Sequence, residues 1–458
     1  MLPNEKSSLI TERLTMSVPS FISDFMSIFS ECASKPSMTR LCELLTARIL
    51  AIGKSTISNL ARVYGLDPYA CPWHHVFSRY SISLWPFSLT LIRLIISTFS
   101  ISRNVILAID DTTCLHKGPK VFGRAKHRDG VRSSHGTLVP LMGHKWVVLS
   151  IVVRIPGTFR QWALPIAVGL CRSSEFAKSQ KKRHKTPAHI GRLLVAKIKR
   201  SFPKINFIIV GDQGFGQHQS AKDFSKPGLT LVSKFYPDAV LRGLPQPKKK
   251  GQPGRQQTMG ARLPKPSEVV NLTENFSKAT VSWYGGGERD VEFIANEGFW
   301  YRQGKGVVKV KWVFVRDITG THRDEYLYTT DTNLSPEEVI SLFTSRWAIE
   351  TTFQECKGQL KIESTRVWSE RSTLSLIPLI FGMYSMVVLI TKDKVTNSTR
   401  FPISWPGKKG PTFSDMILIL RRNTWEAYLN INTQMDQGTY AIRSSEIRKI
   451  IGALCQSG

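Results

Sequence analysis

Two short apolar runs, each leading into a carboxylate, constrain this chain more than any other feature. Residues 105–109 read VILAI and pass directly into Asp110, Asp111, Thr112 and Thr113. Residues 207–210 read FIIV and pass through Gly211 into Asp212 and a Gly-rich turn. Apolar runs without polar alternation are strands covered on both faces, so a sheet flanked by helices is expected. Similar runs follow at 145–155 (KWVVLSIVVRI), 162–171 (WALPIAVGLC) and 229–235 (LTLVSKF). A carboxylate closing such a strand is either part of a simple turn or part of a site.

Around these strands the texture varies. Residues 1–100 read as helical segments broken by Gly and Pro. Within them, GKSTISNLARVYGLD (53–67) places Ser55 to cap a helix through 60–63, a pattern shared by helix-turn-helix units and by helical hairpins in general. A loop with Lys117, Lys120, Arg124, Lys126 and Arg128 separates the first two strands. Residues 178–204 hold ten Lys or Arg and no acid, ending in an amphipathic basic helix that faces either solvent or phosphates. Residues 242–266 combine five Pro, four Gly and seven Lys or Arg, including Lys248, Lys249, Lys250 and Arg255. That stretch reads as a basic loop, either contacting a DNA backbone or serving as a linker. The runs TVSWY, VEFIAN, VVKVKWVFV and EYLYTT between 279 and 328 predict an antiparallel insertion. Its Trp283, Trp300 and Trp312 are core residues or, alternatively, a platform for an unpaired base.

Charge narrows the partner. With 63 Lys+Arg against 34 Asp+Glu the chain carries +29, an excess that fits a polyanion, nucleic acid first and an anionic membrane surface second. Seven cysteines without a CxxC pair argue against a disulfide framework or zinc and for a reducing compartment. Residues 1–13 are charged and contain no apolar run, so no secretory leader is expected. Residues 372–390 are apolar enough to span a membrane, but Pro378, Gly382 and several serines favour a buried core helix.

Residues 335–357, SPEEVISLFTSRWAIETTFQECK, predict a helix with Ser335 as cap, Pro336 in its first position and Glu338 completing a capping box. Phe343, Arg346, Glu350 and Lys357 then fall on one stripe, at offsets 0, 3, 7 and 14. Such a mixed stripe is a solvated face or the lining of a site that handles phosphate. Asp110 (or Asp111), Asp212 and Glu350 could converge there. Carboxylates without a His or Cys cluster make a hard oxygen site suited to Mg²⁺ or Mn²⁺. Two such ions about 4 Å apart activate a nucleophile and neutralise a leaving oxygen.

FTSRWAIETTFQECK resembles the Tyr-x2-Arg-x3-Glu-x6-Lys signature of DDE insertion-sequence transposases, with Phe343 in place of Tyr. AIDDTT (108–113) resembles their first catalytic block and IIVGDQGFG their second. The resemblance spans about residues 100–390 and implies an α/β, RNase H-like mixed sheet flanked by helices, interrupted by a β-rich insertion. It implies Asp110, Asp212 and Glu350 as catalytic metal ligands, with Asp111 in reserve for Asp110, and two Mg²⁺ ions that Mn²⁺ can replace. Arg346 and Lys357 are then DNA contacts, joined by Trp347 and by Phe343 as a stacking surface.

The expected organisation is a helical DNA-binding region at 1–100 and a catalytic core in two parts, 101–236 and 329–395. A basic loop and β-rich insertion occupy 237–328, and a helical region 396–458. The expected partner is double-stranded DNA, both element ends and target, bound by a homodimer, with no membrane. A cytoplasmic, nucleoid-associated setting in a prokaryotic host follows. A transposase-derived DNA-binding protein without catalysis is the alternative.

Overall fold

A computed structural model describes residues 17–432, apart from 70–71, 80–81, 129–132, 134–135, 138, 246–252, 254–258, 397–402 and 404. Five helices come first: α1 (Ser20–Ser27), α2 (Lys35–Leu50), α3 (Ile57–Val63), α4 (Trp73–Arg79) and α5 (Leu84–Thr98). Next come β1 (Asn104–Leu115), β2 (Ala125–Arg128), β3 (Pro140–Arg154), β4 (Gln161–Cys171), α6 (Ser174–Ser179) and α7 (Pro187–Ser201). They are followed by β5 (Asn206–Gly211), α8 (His218–Asp223), β6 (Leu229–Lys234) and β7 (Leu241–Arg242). A third stretch holds α9 (Pro266–Leu272), β8 (Ser277–Ser282), β9 (Glu288–Arg302), β10 (Gly306–Asp317) and β11 (Glu325–Thr329). Four helices complete the chain: α10 (Pro336–Ser345), α11 (Ala348–Gly358), α12 (Glu370–Thr396) and α13 (Phe413–Asn432).

The catalytic half of the sheet has the strand order β4-β3-β1-β5-β6. β3 runs antiparallel to β1 and to β4, while β5 is parallel to both β1 and β6. This is the RNase H-like arrangement that the resemblance implies. Helices cover both faces. On one, Phe343, Val339 and Ile340 of α10 pack over Ile208, Val210 and Val232. On the other, α7 approaches so closely that a Cβ at Gly191 would lie 2.3 Å from Ile109 Cδ1. Only glycine leaves that helix room to lie against the strand.

The β-rich insertion is no separate lobe. β11 pairs with β6, β10 with β11 and β9 with β10, so the central sheet continues through the insertion into eleven strands. Nor are the N-terminal helices a free-standing unit: Phe29, Leu41 and Leu60 share one apolar core with Ile377, Ile380 and Leu420 of α12 and α13. Buried Arg48 donates from Nε to the Leu360 carbonyl at 3.0 Å, and Arg421 from Nε to the Ile49 carbonyl at 2.6 Å.

Several local expectations are corrected. The cap of α3 is Thr56, whose Oγ1 accepts from Asn59 N; Ser55 is buried, and its backbone N–H donates to Ser364 Oγ. The 335–357 stretch is not one even helix. Its capping box forms as expected, but i→i−3 bonds from Arg346 N to Phe343 O and from Trp347 N to Thr344 O tighten it between α10 and α11. α12 is the one helix among the described residues apolar and long enough to cross a membrane, and 78% of its most apolar stretch is buried inside the protein. The five described cysteines are all buried and unbonded.

Candidate active site

The site begins where two strands part. β1 pairs with β5 only as far as Ile109↔Gly211, whereas its pairing with β3 continues to Leu115↔Gly143. Asp110 and Asp212 are therefore the next residues on two adjacent parallel strands, about 5 Å apart along the backbone at ordinary strand spacing. Ligands in open α/β sheets sit in such crevices at the carboxyl ends of parallel strands. Strand alternation sends Asp110 and Asp111 to opposite faces. Asp111 is taken up by Lys145 of β3 at 3.1 Å, while Asp110 faces Arg346.

Arg346, at the junction of α10 and α11, bridges the acids. Its Nη1 lies 2.6 Å from Asp110 Oδ2 and its Nη2 3.0 Å from Glu350 Oε1, with the guanidinium only 10% exposed. Burial alone would lower its pKa, but Asp110, Glu350 and Asp212 outweigh that and raise it. Burial pushes the Asp110 carboxyl up to about 7, against the lowering pull of Arg346 and with a further push from Asp212. That mutual influence brings Asp110, Asp212, Arg346 and Glu350 into one electrostatic unit.

The backbone around Asp212 is fixed. Its carbonyl accepts from Gly216 N at 2.9 Å and from Ser233 Oγ at 2.8 Å, and its Oδ1 accepts from Phe215 N at 3.2 Å. Gly216 is required there, since a Cβ would fall 2.0 Å from Ser233 Oγ.

Among the described residues no set of three His, Cys, Asp or Glu side chains closes into a metal site. The expected three-acid cage is not formed in this arrangement, because the guanidinium of Arg346 lies between Asp110 and Glu350. The donor chemistry nevertheless fits a hard divalent cation. The acids are oxygen donors only, two of them adjacent, and Arg346 stands in as the positive charge they require.

The other expected site residues divide. Trp347 is 43% exposed, its indole edge against Tyr284 at 5.8 Å. Lys357 pairs loosely with Glu363 at 3.8 Å. Phe343 is 2% exposed in the core under the sheet, so the stacking surface expected of it is withdrawn: a ring packed against Val210 and Val232 has no face left for a base. Trp283, Trp300 and Trp312 are likewise buried, as core residues. Lys248, Lys249, Lys250 and Arg255 lie outside the described residues.

Two neighbours were missed by sequence reasoning. Tyr284 and His322 stack at 5.4 Å with 12° between their planes, beside Trp347, and burial raises the Tyr284 hydroxyl to about 12. The only sequence signal was an aromatic pair, Trp283-Tyr284, ahead of three glycines.

An RNase H-like sheet with two carboxylates at its parting strands, faced by an Arg–Glu pair on a helix, defines a nuclease-type core. The chain belongs to the DDE superfamily of endonucleases: the sequence model of that superfamily matches residues 29–290, including both aspartates. The model of the archaeal ISC1217 transposase family matches residues 291–397, including Arg346, Glu350 and Lys357. No curated protein matches the chain. Among solved structures, a piggyBac transposase synaptic complex with hairpin DNA is similar at 12% identity and TM-score 0.37, over 95% of this chain and 74% of that one. The assignment stands on the two sequence-family matches.

Proposed function

We propose that the protein is a DNA transposase that binds the terminal inverted repeats of its own element, cuts the phosphodiester at each end and joins the exposed 3′-hydroxyl to target DNA. The observation that carries this reading is the convergence of Asp110, Asp212 and Glu350 on Arg346, at the point where β1 and β5 part.

Asp110, Asp212 and Glu350 would hold two Mg²⁺ ions, replaceable by Mn²⁺. The chemistry such ions supply when bound is activation of water or of a 3′-hydroxyl and neutralisation of the leaving oxygen. Arg346 would exchange its bonds to Asp110 and Glu350 for a DNA phosphate, as a fork-shaped donor suited to a bidentate contact. Lys357, seven residues beyond Glu350, stands about 10 Å further along α11 and would meet the next phosphates as a point charge. Trp347 would present its exposed indole beside them. The duplex partner fits the +29 charge, and paired cutting of two ends implies a homodimer. The setting is the cytoplasm, on the nucleoid of a prokaryotic host.

The test is cleavage of labelled element-end duplexes in Mg²⁺. Glu350→Gln keeps shape and removes charge; it should cut at least about a hundredfold more slowly while binding the duplex with near wild-type affinity. Cleavage by that variant at the wild-type rate would remove Glu350 from the site.

A further inference from the structure

Beyond the catalytic acids, β1 and α11 both lead to a second feature. Leu115, at the far end of β1, stands about 17 Å from Asp110 at ordinary strand rise. There its N–H donates to Glu363 Oε1 at 3.0 Å, and the same carboxylate faces Lys357 of α11 at 3.8 Å. A groove opens at this junction, lined by Lys54, Lys117, Lys120, Arg366 and Trp368. It continues past Lys54 and Arg366 to Arg62 of α3 and to Tyr69.

Three observations describe what it takes. Lys54, Lys117, Lys120 and Arg366 are exposed and pair with no described acid, and Glu363, the one acid among the described lining residues, is already engaged. Trp368 is 67% exposed, Tyr69 87% and Leu115 42%, so aromatic and apolar surface is interleaved with the charge. His116, only 4% exposed, lines the inner wall with an Nε2 that has no hydrogen-bond partner. The walls are built: Phe122 N donates to the Trp368 carbonyl at 2.9 Å, and Arg124 donates to the carbonyls of His116 and Gly118. The backbone is held while the indole stays free.

A duplex would meet such a groove with phosphates only, since its base faces are already stacked. Unpaired bases have free π-faces and edges, for which an exposed indole and an unpartnered imidazole are suited. We propose that this groove binds an unpaired stretch of DNA leaving the active site, with Trp368 as its stacking platform. At about 3.4 Å per stacked nucleotide, the first base to reach it lies about five nucleotides from the cut. The inference rests on the DNA-cutting reading above and adds the strandedness of the substrate.

The test uses the full chain in EDTA, with a labelled oligothymidine strand and a blunt duplex of equal length. Trp368→Ala should weaken single-strand binding about tenfold or more and leave duplex binding within about twofold. Trp368→Phe, which keeps a ring, should retain most of the affinity. Lys117→Ala with Lys120→Ala should flatten the salt dependence of single-strand binding by about one unit of log–log slope. Equal losses on both DNAs, or none on the single strand, would overturn the groove assignment. The same preparations assayed with Mg²⁺ on element ends separate the two ideas. Cutting with an inert Trp368 sinks only the groove. Selective single-strand loss in a protein that never cuts leaves the groove standing without the transposase.

Discussion

Asp110 sits buried between a neighbouring carboxylate and a guanidinium, and its proton is held up to about 7. Because the folded chain keeps this proton longer than the unfolded chain, whose Asp titrates near 4, Asp110 favours folding most at low pH. That contribution is lost as pH rises from about 4 through about 7. In EDTA, Asp110→Asn should therefore show a flatter Tm profile than wild type, gaining relative stability between pH 5 and pH 8. Parallel melting profiles for the two proteins would show that Asp110 titrates normally. The choice between Asp110 and Asp111 was open in the sequence because both satisfy an Asp-x-Thr pattern. Only the register of β1 against β5, and the Lys145 bond to Asp111, separate them.

At the scale of elements, the site depends on how closely β5 and its turn approach their neighbours. A Cβ at Gly211 would lie 2.9 Å from Phe215 Cβ and 3.0 Å from Ile109 Cγ2, one residue before Asp212. Gly211→Ala should cost about 1–3 kcal/mol of stability by overpacking and should slow cleavage by shifting Asp212. Urea unfolding together with the cleavage assay checks both effects, and an unchanged midpoint would show that the strands yield easily. The strands themselves were legible, since VILAI and FIIV are apolar without alternation. The break between α10 and α11 was not. A 3.6-residue stripe through Phe343, Arg346, Glu350 and Lys357 describes an even helix, whereas the tightened turn at 346–350 sends Phe343 into the core and Arg346 onto the acids.

Across the whole molecule, the N-terminal helices and the catalytic sheet fold as one body. Phe87 of α5 packs against Gly382 of α12, where an added Cβ would meet its ring at 2.5 Å, and Arg48 and Arg421 tie α2 to residues more than three hundred positions away. A fragment of residues 1–100 should consequently lack a cooperative thermal transition, its apolar face having lost α12 and α13. A sharp, two-state melt of that fragment by circular dichroism would show an independent domain instead. Local sequence was enough for the strand cores, the capping box at Ser335, the acidic and basic residue types, and the order of the three motif blocks, because these depend on hydrophobic period and on chemistry carried by each residue. Tertiary structure alone decided which aspartate faces Arg346, that the insertion extends the sheet, that Phe343 is core, and that Trp368 overlooks a basic groove. Those outcomes depend on pairing between segments far apart in the chain, and one residue of strand register is enough to turn a side chain from the site to the opposite face.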